Sequence, residues 1–166
     1  MQINSFAQFV GYLESLAEQH KDIKHNRDNV SHFTRLDTDE LDNEIQNKVG
    51  FPVICLDRYS ASLSGESGNV TKKKGITIMI LDHVPDQTDF DHIHEVWDKT
   101  EAIGDDFIAK IFDDMSKLVI PGIFDLDLSS VAMEPASNKS IGLYGTIITF
   151  NLNTKFCLKP PAGAFS

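Results

Sequence analysis

The chain has 166 residues, of which 41% are hydrophobic and 24% are charged, and this composition is that of an ordinary soluble globular domain. Its formal net charge of −10 argues against a basic surface that binds nucleic-acid phosphates. The same charge suits a surface that DNA passes without sticking, because like charges repel. The first residues lack a basic n-region, and no apolar run approaches ~18 residues, so we expect neither a signal peptide nor a membrane span.

The first part of the chain is predicted to form a helix, a polar loop and a short strand. Apolar residues from Ile3 to His20 recur at steps of three and four, which predicts an amphipathic helix that packs on a sheet. The polar residues 21–34 predict a loop that leads into a short strand near His32 to Arg35. A capping-box pattern then predicts a short helix that begins at Asp37 and ends at Gly50.

Two runs of strand-favouring residues follow, at 51–63 and 76–84, and they predict an antiparallel hairpin. The residues between them, 64–75, are small, polar and interrupted by glycines, which predicts a long mobile loop at the hairpin tip. Lys72, Lys73 and Lys74 in this loop are the only dense basic run of the chain. Two interpretations stay open for them, a solvated loop tip or a contact with an acidic neighbour such as another copy.

The stretch from Asp86 to Leu118 predicts one long helix, because its apolar residues form a single wide stripe. Thr88 or Asp89 is the expected N-cap, and the Pro-Gly pair at 121–122 ends the run. The stretch holds ten acidic residues and three lysines, so its formal charge is −7. We therefore expect a strongly acidic outer helix face.

The last third of the chain predicts a second hairpin. Residues 123–132 and 140–152 have the pattern of strands, residues 134–139 that of a turn, and Gly142 and Gly145 are expected at bulges or bends. The predicted fold is α+β, with an antiparallel or mixed sheet of about four to five strands and the N-terminal and central helices on one face. Residues 1–152 form the expected single domain and 153–166 an extended tail.

Apolar strand residues occur at alternate and at intervening positions, so both faces of the sheet are predicted to carry apolar side chains. Helices on one face alone would leave part of the other face exposed, and exposed apolar sheet is typical of a protein contact. Self-association is the simplest such contact.

No motif of a catalytic site is present in the sequence: a phosphate-binding loop, a dinucleotide fingerprint and a nucleophile elbow are all missing. Cys55 and Cys157 lack metal or redox spacing and are predicted to be reduced core residues. We expect no catalytic residue, no cofactor and no metal. The alternatives are a metal-dependent small-molecule enzyme that uses the acidic cluster around His92 and His94, with Asp82 or His83 in support, and a soluble adaptor domain.

The order helix, hairpin, helix, hairpin resembles that of the tail terminator and tail-completion proteins of tailed bacteriophages and phage-tail-like particles. The resemblance covers Ile3 to Leu152 as a pattern. It rests on the N-terminal helix, the Phe51-Pro52 start of the first long strand, the hairpin with an extended tip and the acidic run from Leu81 to Asp114. Extra polar residues at 21–37 and the Pro-Pro tail depart from the pattern and leave the position, terminator, neck or connector, open.

This resemblance implies a structural virion protein that forms a homo-oligomeric ring, commonly of six copies. The ring caps the tail tube and joins the head connector, so the implied partners are other copies, a tail tube or sheath protein and a neck protein. DNA passes through without specific binding, and no membrane is involved. The implied location is the virion neck, reached from the host cytoplasm during assembly. Candidate subunit contacts are Lys72, Lys73 and Lys74, and candidate lumen-facing acids are Asp98, Glu101, Asp105, Asp106, Asp113 and Asp114.

Overall fold

The computed structural model describes residues 6–26, 28, 30–35, 49–66, 69–117, 125–159 and 163. These residues form two helices and a five-stranded mixed sheet, which confirms the α+β prediction with one N-terminal and one central helix. The helices are α1 (Phe6–Gln19) and α2 (Phe90–Ser116). The strands are β1 (Ser31–Thr34), β2 (Val49–Glu66), β3 (Asn69–His83), β4 (Asp125–Asn138) and β5 (Leu143–Phe156).

The two predicted hairpins join into one sheet with the strand order β1-β2-β3-β5-β4. β1 runs parallel to β2, whereas every other neighbouring pair is antiparallel. β3 and β5 lie in the middle and pair without a register shift from Val70↔Phe156 to His83↔Leu143. The long central ladder therefore fixes the position of both hairpins.

Both helices pack on the same face of the sheet, called the first face below. Alternate residues of each strand point to this face and, together with the inner faces of the helices, they form the main core. Each fully buried large side chain contributes roughly 1.5–3 kcal/mol relative to exposure. The core includes Phe9 and Leu13 of α1, Phe107 and Ile111 of α2, and Ile54, Ile78, Ile80, Ile148 and Phe150 of the sheet.

The central helix is continuous over 27 residues, as the apolar stripe predicts. Asp89 is its N-cap, and the Asp89 carboxylate accepts a hydrogen bond from the backbone N–H of His92 at 3.0 Å. Gly104 does not interrupt the helix. It packs against the side chain of Ile148, and a larger residue at position 104 would have to displace that side chain. The N-cap and the helical assignment are confirmed, and Leu118 lies outside the described residues.

The predicted mobile loop at 64–75 is wrong for the described residues. β2 and β3 pair as far as Glu66↔Asn69, so the hairpin is strand almost to its tip. Small polar residues have weak strand preference, but β3 is hydrogen-bonded on both sides, to β2 and to β5, and this pairing outweighs the preference. The two residues between the strands are not described.

Both strands of the second hairpin are also longer than predicted. β4 continues through Asn138, because Pro135 lies on the edge strand of the sheet, where a missing backbone N–H is tolerated. β5 continues to Phe156, because β3 extends far enough to pair with it, so the predicted tail at 153–166 begins with four strand residues. Gly142 bends the chain with φ 66°, whereas Gly145 lies in a regular stretch and forms no bulge.

The predicted helix at 37–50 falls mostly on residues that the structure does not describe. Only its end can be compared, and there the prediction is wrong, because Val49 and Gly50 begin β2. The residues before Phe6 that the first helix was predicted to include also lie outside the described residues, as does most of the chain after Lys159.

The expected exposed apolar surface on the other face of the sheet, the second face, is not present among the described residues. Val53, Cys55 and Leu143 are 0% exposed there, and Leu81 is 3% exposed. Toward the hairpin tip the second face becomes polar and half-buried, with Lys73, Thr77, Asn151 and Asn153. An unsatisfied apolar sheet face therefore supplies no reason for self-association.

We expect Gly145→Ala to lower the free energy of unfolding by about 1–3 kcal/mol. A Cβ at Gly145 would lie 1.9 Å from the carbonyl oxygen of Ile80, a backbone atom held by the central ladder. Gly104→Ala is the matched control, because its Cβ would meet the end of the Ile148 side chain rather than backbone, and roughly 1 kcal/mol of helix propensity offsets the cost of shifting that side chain. Urea unfolding of both variants measures the difference, and equal stability would contradict the close β3–β5 approach.

Candidate subunit contacts and acidic surface

The outer side of α2 carries a row of exposed acidic residues at helical spacing. Asp91, Glu95, Asp98, Glu101 and Asp105 are all exposed and follow one another at steps of three and four residues. At 1.5 Å per residue, the row is roughly 21 Å long. Among the described residues, no cation forms an ion pair with Asp98, Glu101 or Asp105. These three acids form the unpaired acidic row.

The other three acids predicted to face a lumen lie elsewhere on the helix. Asp106 is beside α1, where its carboxylate is 3.3 Å from Nε2 of His20. Asp113 forms an ion pair with Lys117 at 2.7 Å. Asp114 is only 5% exposed, so its prediction as a surface residue is wrong. The steps of 100° per residue turn Asp114 toward the core while the acidic row points to solvent.

Asp114 is part of a polar contact that joins the two helices. Its carboxylate accepts a hydrogen bond from the hydroxyl of Tyr12 at 3.0 Å and another from Nζ of Lys110. Burial, together with the Asp114 carboxylate, raises the pKa of the Tyr12 phenol, and the same carboxylate raises the pKa of Lys110. The buried acid is thus fully partnered, and it fixes α2 against α1 through a specific contact.

A cleft of about 230 Å³ lies between the end of α1 and the middle of α2. The backbone N–H of Asp22 donates to Nδ1 of His20, so Nε2 carries the hydrogen that faces Asp106. The imidazole also lies 5.6 Å from the ring of Phe107. Within the cleft His20 is paired with Asp106, whereas Lys110 is paired with Asp114, outside the lining. Its lining is Leu16, Gln19, His20, Asp106, Phe107 and Lys110.

The three consecutive lysines do not form one basic surface, because neighbouring strand residues point to opposite faces. Lys73 lies on the second face, with Nζ 3.3 Å from the Asp127 carboxylate. Lys74 lies on the first face and is 3% exposed, and its burial, reinforced by the charge of Lys72, lowers its pKa. The prediction of Lys74 as an exposed contact residue is therefore wrong. Lys72 also lies on the first face, and its side chain is half-buried.

The histidines considered as metal ligands do not converge. His94 stacks on Trp97 with ring centroids 5.7 Å apart, and His92 lies two residues earlier, on a different side of the helix. Asp82 forms an ion pair with Lys99 at 2.7 Å, and His83 stacks on Phe51. Among the residues that the structure describes, no group of three histidine, cysteine or acidic side chains is placed to hold a metal ion.

The exposed edge of β2 is a feature that was not predicted from the sequence. β1 covers β2 only as far as Thr34↔Cys55, and residues 60–66 of β2 are all exposed. The predicted strand ends at Leu63 and is followed by a predicted loop. The alternation of Tyr59, Ala61 and Leu63 with serines was the available signal, because it has the period of a strand.

The two cysteines occupy different environments, and both are free thiols. Cys55 is buried in β2, and burial, aided by the charge of Asp57, raises the pKa of its thiol to about 12. Cys157 follows β5 and is exposed, so its prediction as a core residue is wrong. Thiolates are the reactive form, so only Cys157 is expected to be reactive in the folded protein.

No model of a known protein family matches the sequence, and no curated protein matches it at a significant level. In the described part of the chain, neither helix combines the length and the apolar character that crossing a membrane requires. The functional conclusion therefore depends on the geometry and charge of the residues themselves.

We expect Tyr12→Phe to reduce the free energy of unfolding by about 1–2 kcal/mol, since it leaves the buried Asp114 carboxylate with one donor fewer. Tyr59→Phe is the control, because Tyr59 is half-buried and no hydrogen bond of its hydroxyl is observed among the described residues. Thermal unfolding monitored by circular dichroism gives both values. A loss of equal size in the two variants would show that the Tyr12–Asp114 bond does not join the helices.

We expect a thiol reagent such as iodoacetamide to modify Cys157 and spare Cys55 in the native protein at neutral pH. The reason is that Cys55 is both inaccessible and held as a thiol by its pKa of about 12. In urea both cysteines should react, since unfolding removes both protections. Peptide mass spectrometry measures the modified fraction at each site, and rapid native modification of Cys55 would contradict the packing of the second face.

Proposed function

We propose that this chain is a structural virion protein, a ring-forming tail terminator or tail-completion protein that caps the tail tube and joins it to the head connector. The observation that carries the proposal is the unpaired acidic row of Asp98, Glu101 and Asp105 on a long, fully packed helix. Repeated around a ring, this row gives a negative wall.

A negative wall is suited to the passage of DNA. Double-stranded DNA carries one negative charge per roughly 1.7 Å of its axis, so a basic wall would bind it and an acidic wall repels it. The lysines of α2 and of its C-cap do not neutralise the row, because Lys99, Lys110 and Lys117 each pair with another acid, respectively Asp82, Asp114 and Asp113. The row therefore keeps its full charge toward solvent.

A junction between a shell and a tube also needs a rigid subunit with surfaces for neighbouring copies. The shared core and the Tyr12–Asp114 contact fix both helices to the sheet. At the hairpin tip, the first face presents Lys72 near the half-exposed side chains of Val70 and Phe156. This mixture of one cation with apolar surface suits contact with an acidic neighbouring subunit, which supports Lys72 as a subunit contact.

We expect reversal of the acidic row, by Asp98→Lys, Glu101→Lys and Asp105→Lys together, to slow DNA release from assembled particles by about tenfold or more. The three changes shift the row from three negative to three positive charges per subunit, which converts a repelling wall into one that binds phosphates. A fluorescence assay of DNA ejection measures the rate, and added salt should partly restore it, because phosphate binding weakens steeply with salt.

The matched control is the triple change Glu18→Lys, Asp22→Lys and Asp28→Lys, which makes the same charge difference at exposed residues of α1 and the loop after it, outside the row. The control particles should release DNA at the normal rate. Cryo-electron microscopy of intact particles locates the chain directly, and its absence from the shell–tube junction would refute the proposal. Normal release by the row variant would refute the placement of the row in the channel.

A further inference from the structure

The outer edge of β2 is a long strand edge without a partner in the described part of the chain. From Arg58 to Glu66 the strand pairs with β3 on its inner side, whereas β1 ends opposite Cys55. Unpaired backbone groups along such an edge form a template for another strand. Natural edges are usually protected by proline, a bulge or inward charges, and residues 59–65 contain no proline and no charge.

The other edge of the sheet is protected. β4 carries Pro135, and its register with β5 shifts between Asp127 and Ala132, so a bulge interrupts it. A bulge and a proline both weaken pairing with an added strand. The two edges are therefore poor partners for each other, and the open β2 edge is matched best by a second β2 edge.

The sequence of this edge is complementary to itself when two copies run antiparallel around Ser62. In that register Arg58 of each copy lies opposite Glu66 of the other, which places opposite charges together at both ends. No described residue of the same chain forms an ion pair with Arg58 or Glu66. The charges are thus available for a second copy.

The remaining pairs of this register are also favourable. Leu63, which is 53% exposed, lies opposite Ala61 of the second copy, so its apolar side chain gains a neighbour on the first face. Tyr59 lies opposite Gly65, and an aromatic residue across from glycine covers the exposed glycine backbone. The serines on the second face place Ser62 of one copy directly across from Ser62 of the other.

We propose that the exposed edge of β2, Arg58 to Glu66, binds the same edge of a second copy of this chain and forms a two-fold symmetric dimer centred on Ser62. The contact is a short two-stranded addition, so it is a weak dimer of the free chain. It does not depend on the proposed ring, because it describes the purified protein and uses backbone groups rather than the acidic row. In the two-fold dimer each open edge is covered by the other, so no edge is left for further strand addition.

The centre of the dimer is tested by cysteine cross-linking in the full chain carrying Cys157→Ser, which removes the exposed thiol. Ser62→Cys places two thiols across the two-fold axis, about 4.5–5.5 Å apart at Cβ, so oxidised glutathione should give a covalent dimer. Ser64→Cys is the control, because its two copies lie four residues apart along the strand, roughly 13 Å, which is too far to bridge. Cross-linking of Ser64→Cys, or none of Ser62→Cys, overturns the register.

The charge pairs are tested by sedimentation equilibrium from roughly 10 µM to 1 mM protein, a range that covers weak dimers. Arg58→Glu alone puts like charges opposite each other twice and should raise the dimer Kd by about tenfold. Arg58→Glu combined with Glu66→Arg restores opposite charges and should return the Kd to within about threefold of the original. A monomer at all concentrations, or a double variant no better than the single one, overturns the proposal. Circular dichroism confirms that each variant is folded.

Discussion

The pairing of β3 with β5 is the interaction on which the rest of the structure depends. These strands come from different hairpins, and their uninterrupted register sets which residues point to the first face. Ile78 of β3 and Ile148 of β5 lie opposite each other, and both are 0% exposed under the helices. A slip of one residue would turn every core side chain of a strand to the other face, so burial and register enforce one another.

The apolar side chains of the first face determine where α2 packs. The orientation of the packed helix then determines which of its acidic residues face solvent. Phe107 and Ile111 fit against the sheet, and the helical period then turns Asp98 and Asp105 to solvent. Asp114 shows the other consequence of the same period. It falls on the inner side, where only hydrogen bonds from its neighbours make a buried carboxylate acceptable. The charge pattern of the helix thus divides into a structural acid and a solvent-facing row.

The sequence predicts those parts of the fold that local periodicity determines. The predictions of the α2 helix, of its cap at Asp89 and of the two hairpins are correct. Each of these features depends on a pattern of residues that are close together in the sequence. The loop at 64–75 is wrong because its strand character comes from pairing with β5, which is remote in sequence. The placement of Asp114 among the surface acids was wrong although the sequence held the signal, because Asp114 lies three and seven residues after the buried Ile111 and Phe107 and so shares their helix face.

The two ends of the sheet have different physical roles. At the base, β1 and both helices cover β2 and β3, and the polar groups there are partnered, as His32 is with the Pro52 carbonyl at 2.9 Å. Toward the tip, no described strand pairs with the outer edge of β2, and residues 59–65 between the charged Arg58 and Glu66 are uncharged. An open edge is a template for pairing with another strand, and neither a proline nor a register shift interrupts residues 59–65. The contrast with the interrupted β4 edge therefore supports the proposed association through β2, and that contact does not involve the acidic helix.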